Sequence, residues 1–475
     1  MNSLPYRHTK IIFTIGPATN SVEMLCDLFT SGVDVCRFNM AHADHEWTNQ
    51  AINNIREASE KVGRKVALMM DVKGPEIRTG PLEGAFELKA GETFDFFLEK
   101  EMEPVWEGIR GVRVNYPHLA NDVSVGDTIL VDSGLIRLSV EEVQKDRIRC
   151  KVKIGGSLGS RRHINLPGVH VNLPALTAKD RDDILTGIEN GIDFFALSFV
   201  RSPDDLDILR RFVEERGSKA KIIAKIEDQS AISNLEDIVK ASDGLMVARG
   251  DLGIEIPYET LPLIQRRAVR TCQRLGKPVI VATHMLESMI HNPLPTRAEV
   301  TDIANAVFEQ ADCVMLSGET TVGKYPVECV DVMSRIINSV EAQADRKSNE
   351  AFALKSPKAL MLKSAMMLSD ELPNSAILVF TRRGNLARTL STLRPKKSPI
   401  FAFTDTPEVF QNLLMYWGVE PFLMDFNEEP EITVQEAFSR LKSRGWVESR
   451  SHVVVVSNVL AGSKIIDTIQ YRTVP

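Results

Sequence analysis

No pair of cysteines in this chain has the spacing of a metal clasp or a redox motif. Cys26, Cys36, Cys150, Cys272, Cys313 and Cys329 include no CxxC, and several fall inside apolar runs. Buried, reduced thiols are therefore expected rather than a disulfide framework. Excess charge of one sign is also missing. A net charge of −7 over 475 residues gives no long-range field for nucleic acid or an anionic membrane. No apolar run approaches the roughly 18 residues of a membrane helix, and there is no low-complexity tract or internal repeat. MNSLPYRH leads straight into TKIIFTIG without a signal-peptide pattern, so a cytoplasmic protein is expected. What is present is ordinary for a globular chain, 43% hydrophobic and 25% charged. At about 150 residues per domain the length implies two to four domains.

Apolar strand-like runs occupy 9–16, 33–40, 65–72, 191–199, 221–227, 243–250, 278–285 and 313–319. Helical segments such as Val22–Thr30, Thr48–Lys61, Pro203–Glu215 and Pro262–Arg274 lie between them. Eight such units in about 250 residues predict a (β/α)₈ barrel, a TIM barrel, from 1–74 and 173–344. The gap, 75–172, has short alternating runs broken by Gly and Asp, the texture of antiparallel β structure. Inserted after the third strand, a β-rich domain of this kind is placed to act as a lid, with TGPLEG and NLPGVHVNLP as its hinges. A polar stretch near 345–357 marks a boundary. Beyond it, SAILVFT, SPIFAFT, VEPFLMD and HVVVVSN predict a smaller α/β domain with a parallel sheet, 345–475.

The chemistry concentrates where strands end. The fifth run ends in Lys225 and Glu227, and the sixth in Arg249, Gly250 and Asp251. Ligands bind at strand C-termini in parallel α/β folds. An ammonium and two carboxylates there, beside a glycine that admits a close backbone approach, suit a hard divalent cation with an anionic substrate. Strand-end salt bridges are the alternative. On the same rim fall Arg37, Asn39 and His42, then Asp71, Val72, Lys73 and Arg78, then Thr283, which could equally be bonded to backbone. That many cations with a metal imply phosphates. Thr296 and Glu299 have capping-box spacing. Gly318 to Lys324 nearly matches a P-loop, but Tyr325 stands where a Ser or Thr is needed and the nucleotide-binding context is missing. Thr381, Arg382, Arg383, Gly384 and Asn385 precede a helix in the last domain, where they form either an anion site or a solvated basic turn.

TKIIFTIGPAT, RFNMAH, DVKGPEIRTG, VNLPALTAKD, AKIED, SDGLMVARGDLGIEIP, ATHMLESM, NPLPTRAEVTDIANAV and DCVMLSGET, in this order, resemble the pyruvate kinase family over about residues 8–340, and more weakly beyond. The resemblance implies a barrel, lid and C-terminal domain. It implies phosphoryl transfer from phosphoenolpyruvate to ADP, giving pyruvate and ATP, with Mg²⁺ or Mn²⁺ and with K⁺. By the same resemblance Lys225, Thr283 and Arg37 are catalytic, and Arg37, Lys225, Gly250, Asp251 and Thr283 bind substrate. Glu227 and Asp251 hold the Mg²⁺. Asn39, His42, Arg78 and Arg162 contact nucleotide, with Arg162 where the family usually has a lid lysine. A homotetramer is the family's usual assembly.

Several positions depart from the family pattern. The K⁺ ligands correspond to Asn39, Asp71 and the Val72 carbonyl, but Ala41 replaces a serine, so a weakened K⁺ site is expected; Glu76 keeps the site on the K⁺-dependent side. Ser133, His163 and His284 are also unusual. Of the Ser/Thr-rich effector loop only Thr381 remains, which implies an altered phosphorylated-effector site at 381–385. Two competing readings stay open: a Mg²⁺-dependent barrel aldolase acting on pyruvate enolate, and a non-catalytic regulatory paralogue.

Overall fold

A computed structural model describes residues 6–98, 105–106, 108–343, 348–461 and 464–475. Eight parallel strands close into a barrel: β1 (Lys10–Thr14), β2 (Val35–Asn39), β3 (Ala67–Val72), β4 (Phe194–Leu197), β5 (Lys221–Ile226), β6 (Gly244–Ala248), β7 (Val279–Ala282) and β8 (Cys313–Met315). They read as unbroken apolar runs because helices cover the outside while the interior is packed with their other side chains. Ile12, Val35, Met69, Phe194, Ile223, Met246 and Ile280 fill that interior. Local chemistry sets the helix limits. The helix Val22–Ser31 starts where the Ser21 side chain accepts from the Met24 N–H, and stops at Gly32, whose φ of 97° few other residues adopt. The capping box of Thr296 and Glu299 is present, and Glu299 also accepts from the Ser288 N–H at 2.7 Å and its hydroxyl at 2.6 Å.

Glu341, on the last barrel helix (Pro326–Gln343), ties that helix to the start of β1. Its carboxylate accepts from the backbone N–H groups of His8 and Thr9 at 2.9 and 2.8 Å. Burial works against this charge, but the hydrogen bonds from His8 and Thr9 outweigh it and hold the carboxyl down at about 2. A depressed carboxyl contributes stability above its unfolded pKa and loses it as pH falls towards the folded value. Glu341→Gln should therefore cost on the order of 3 kcal/mol at pH 6. The gap to the unsubstituted chain should shrink steadily from pH 5 to pH 3 in melting experiments. A gap that does not change with pH would remove this role.

The segment after β3 forms a curled seven-stranded sheet and a separate two-stranded one, with its own core of Phe94, Phe96, Ile129, Leu138, Val140 and Ile148. One pairing departs from the antiparallel expectation, since Thr93–Phe97 runs parallel to Ile109–Arg113. The C-terminal sheet comprises β9 (Ser375–Phe380), β10 (Ile400–Thr404), β11 (Val419–Leu423), β12 (His452–Ala461) and β13 (Lys464–Thr473), in the order 11-10-9-12-13. The four expected strands are parallel. The fifth, β13, is an addition that runs antiparallel to β12 over ten paired positions. The domain boundary expected at 344–345 lies outside the described residues.

The C-terminal domain plugs the closed end of the barrel. Leu414 and Met415 are buried against the interior layer of β1, β2 and β8. Beside them Asp312 accepts from Arg394 Nη2 at 2.9 Å and from the Trp417 N–H at 3.2 Å. Among the described residues no helix is long and apolar enough to cross a membrane.

Candidate active site

At the other end of the barrel the strands finish in charge. Arg37 on β2, Asp71 on β3 and Lys225 on β5 all lie at this rim, and all three are buried. Arg37 donates through Nε and Nη2 to Asp71 Oδ2 at 2.8 and 2.7 Å, and through Nη1 to the Thr14 hydroxyl at 3.0 Å. Lys225 Nζ stands 3.1 Å from Asp71 Oδ1, 2.9 Å from Glu227 Oε1 and 2.7 Å from the Ser198 hydroxyl. Glu227, just past the end of β5, also accepts from the Phe199 N–H at 2.7 Å.

The electrostatics follow from this crowding. Burial disfavours charge on Lys225, but Asp71 and Glu227 outweigh it and raise its pKa, so it stays an ammonium. Asp71 is buried too, and Lys225 and Arg37 keep its carboxyl below the ordinary range. Glu227 goes the other way. Burial pushes it up to about 7 against the pull of Lys225, with Asp251 and Asp71 adding to the rise. Three carboxyl groups thus face two cations, and Glu227, pushed towards neutrality, is the one left without full compensation. That imbalance fits a divalent cation held by Glu227 and Asp251, since Mg²⁺ needs only one or two protein carboxylates besides substrate oxygens. Among the described residues no cluster of three or more His, Cys, Asp and Glu side chains could hold a metal unaided.

Asp251 does not extend a strand as the sequence suggested. The chain turns at the end of β6 into a short helix, Arg249–Glu255, with Asp251 in its first turn. Gly250 is in the same turn, and its N–H donates to the Thr283 hydroxyl at 2.8 Å. A Cβ at Gly250 would meet nothing closer than 3.7 Å, so packing does not demand glycine there. Thr283 and His284 have φ values of 69° and 57°, and Phe199 one of 53°. Non-glycine residues stay in this region only when their surroundings hold them there, and such residues cluster at functional sites. Arg249 is the clamp: buried, it donates to the carbonyls of Ala282 and Thr283 at 3.0 and 2.6 Å and to Asp302 at 2.6 Å.

The remaining expected residues form an outer group. Asn39 pairs in register with Asp71, and its Oδ1 accepts from the Ala41 N–H at 3.2 Å. Val72 is buried and His42 exposed. Arg78 donates to Glu76 at 2.6 Å and to the Arg161 carbonyl at 2.9 Å, and Lys73 pairs with Glu76 at 3.1 Å. Arg162, on the lid, reaches Asp132 at 3.3 Å. Both oxygens of Asp71 are already engaged by Arg37, Lys225 and Ser198, a bridging role the sequence did not suggest.

Far from this rim, a cavity of about 1090 Å³ in the C-terminal domain is lined by Thr381, Arg382, Arg383 and Asn385, with Lys358 and Arg472 across it. Gly384, at φ 77°, caps the following helix Asn385–Leu393, and its N–H donates to the Thr381 hydroxyl at 2.9 Å.

Sequence reasoning missed Ser198, Thr14, the Phe199 N–H and the Arg249 clamp. Ser198 could have been found, as the first polar residue after the apolar β4. The Phe199 N–H could not, since a backbone donor leaves no mark in composition.

A family model described as the pyruvate kinase barrel domain matches residues 6–330, and one for the pyruvate kinase alpha/beta domain matches 360–470. The chain is 43% identical over 468 residues to a pyruvate kinase of Geobacillus stearothermophilus, covering 96% of this chain and 78% of that one. It is 42% identical over 456 residues to pyruvate kinase isozyme G, chloroplastic, of Nicotiana tabacum, covering 95% and 80%. A solved pyruvate kinase structure from Cryptosporidium parvum superposes with a TM-score of 0.93 at 37% identity, covering 99% of this chain and 96% of that chain.

Proposed function

The chain belongs to the pyruvate kinase family and is a phosphotransferase, and from that premise we propose that it moves the phosphoryl group of phosphoenolpyruvate to ADP, giving pyruvate and ATP. The observation that carries this reading is the buried Arg37–Asp71–Lys225–Glu227 array, with Lys225 held as an ammonium at the rim. Phosphoryl transfer asks mainly for fixed cations around the moving group. Lys225 neutralises that group and the enolate it leaves. Arg37 binds the phosphate, the Gly250 backbone and Thr283 bind substrate, and Thr283 stands near the path of the proton that completes pyruvate. Asn39, His42, Arg78 and Arg162 take the nucleotide. Glu227 and Asp251 would hold Mg²⁺ or Mn²⁺, which supplies Lewis-acid charge neutralisation when bound.

The barrel (1–74, 173–344) carries this chemistry, the inserted domain (75–172) covers it, and 345–475 regulates. Supporting the last of these is the basic cavity at Thr381–Asn385, which suits a phosphorylated effector. A homotetramer is proposed from the family pattern. A cytoplasmic location is proposed from the six free thiols, five of them buried.

A coupled assay that reports pyruvate from phosphoenolpyruvate and ADP tests the reading, with sugar phosphates added to probe the effector cavity. No turnover with normal ligand binding would favour a regulatory paralogue, and cleavage of a hydroxy-keto acid without nucleotide would favour the aldolase. Asn39, Asp71 and the Val72 carbonyl are proposed to hold K⁺ weakly, because Ala41 contributes no side-chain oxygen. Turnover should rise when K⁺ replaces a large organic cation, and Ala41→Ser should lower the K⁺ needed by roughly five- to tenfold, the gain from one added polar contact. Equal rates with and without K⁺ would remove the site.

A further inference from the structure

A cavity of about 250 Å³ lies between residues 164–173 and the short segment that follows β5. It borders the candidate active site at Phe199, which lines it while donating its N–H to Glu227. Much of its wall is hydrocarbon, from Ile77, Leu166, Val171 and Leu173. The polar remainder sets three acids and acceptors, Asn165, Asp228 and Glu255, among neutral hydroxyl and amide groups and two imidazoles, His163 and His170. Arg201, the one arginine or lysine among the described lining residues, is already committed. It donates to Asp205 at 3.3 and 3.0 Å and to the Val171 carbonyl at 2.9 Å.

Two groups in this wall want something the protein does not give. Asn165 is only 4% exposed, and its Nδ2 donates to Glu255 Oε1 at 2.8 Å. Its Oδ1, shielded from solvent, has no hydrogen-bond partner among the described residues. Buried amide oxygens are rarely left so. Glu255 has donors in Asn165 and the Leu166 N–H but no cation paired with it among the described residues. Burial pushes its carboxyl up to about 7, opposed by Asn165 and reinforced by Asp228 and Asp251. An orphaned acceptor beside an uncompensated acid asks for a positively charged donor, and the apolar wall asks for a hydrocarbon stem.

We propose that this cavity binds a small organic ammonium ion, its head on Asn165 Oδ1 and the Glu255 carboxylate and its stem along Leu166, Val171 and Leu173. An anion would meet two acids, and the arginine in the wall already serves Asp205 and the Val171 carbonyl. A neutral alcohol would leave Glu255 uncompensated. The volume is that of about eight waters, enough for a cation the size of butylammonium. Because Asn165 sits on the strand pair nearest the second hinge and Glu255 on the helix that carries Asp251, an occupant joins the lid to the catalytic rim.

The test is a calorimetric titration of the full chain with butylammonium chloride at fixed ionic strength, beside sodium butyrate, 1-butanol and sodium chloride. Butylammonium should bind saturably, one per chain, with half-saturation below about 5 mM, and the other three should not. Glu255→Gln should weaken it at least about tenfold, the loss expected for a charge-assisted hydrogen bond, with an unchanged melting temperature. No saturable butylammonium binding, equal binding of butyrate, butanol or Na⁺, or unaltered affinity in the variant would each overturn the proposal. Should Glu255→Gln fail to fold, Ser233→Phe fills the cavity without touching the acid, and undiminished binding there overturns it too. No turnover is measured, so this proposal and the kinase reading fail independently.

Discussion

Lys225→Met is expected to lower kcat by on the order of 10³ or more, with a much smaller change in KM for phosphoenolpyruvate. The size follows from what the side chain does on the proposed function. A preorganised donor aimed at charge that develops only in the transition state is worth about 10² to 10³, and a full buried ammonium should exceed that. The variant should still fold. Its Asp71 keeps Arg37 as a partner, and Glu227, already pushed up to about 7, can take a proton in place of its lost neighbour. Circular dichroism and melting separate misfolding from lost chemistry. Turnover within tenfold of the unsubstituted chain, in a folded sample, would end the assignment of Lys225.

How much of this was legible in the sequence depends on which physical signal each feature leaves. The barrel was legible because a parallel strand covered on both faces must be apolar throughout, as all five residues of β6 are. The rhythm of strand and helix then fixed its closure. The inserted domain showed in the switch to alternation broken by Gly and Asp. Strand β13 did not show, because its core-facing and solvent-facing residues mix polar and apolar types (Asp467, Thr468, Gln470, Arg472), and antiparallel pairing with β12, not composition, makes it a strand. At the rim, the strand period indicated that Lys225 and Glu227 would meet, and they stand 2.9 Å apart. Asp251 was assigned the right rim but the wrong element. A helix of seven residues after β6 leaves too few positions for a periodic signal.

Asp71 is the residue whose removal should do the most structural damage at the site. It was read from the sequence as a K⁺ ligand, yet it is the counter-ion that lets Arg37 and Lys225 share one buried place. Asp71→Ala leaves two cations close together and largely out of water, with Glu227, on Lys225, as the one acid still paired with either among the described residues. Breaking a buried ion pair from one side costs about 3–5 kcal/mol, because the stranded charge keeps its desolvation penalty. The barrel's unfolding midpoint in urea should fall accordingly, and activity should drop even under conditions where the chain stays folded. The double variant Asp71→Ala, Arg37→Ala should be less destabilised than the sum of its parts, since the second change removes a charge the first has stranded. Strict additivity, or an Asp71→Ala chain as stable as the original, would mean that Arg37 and Lys225 find solvent or another acid in its absence. The rim would then be a looser array of cations than the 2.7 to 3.1 Å contacts imply.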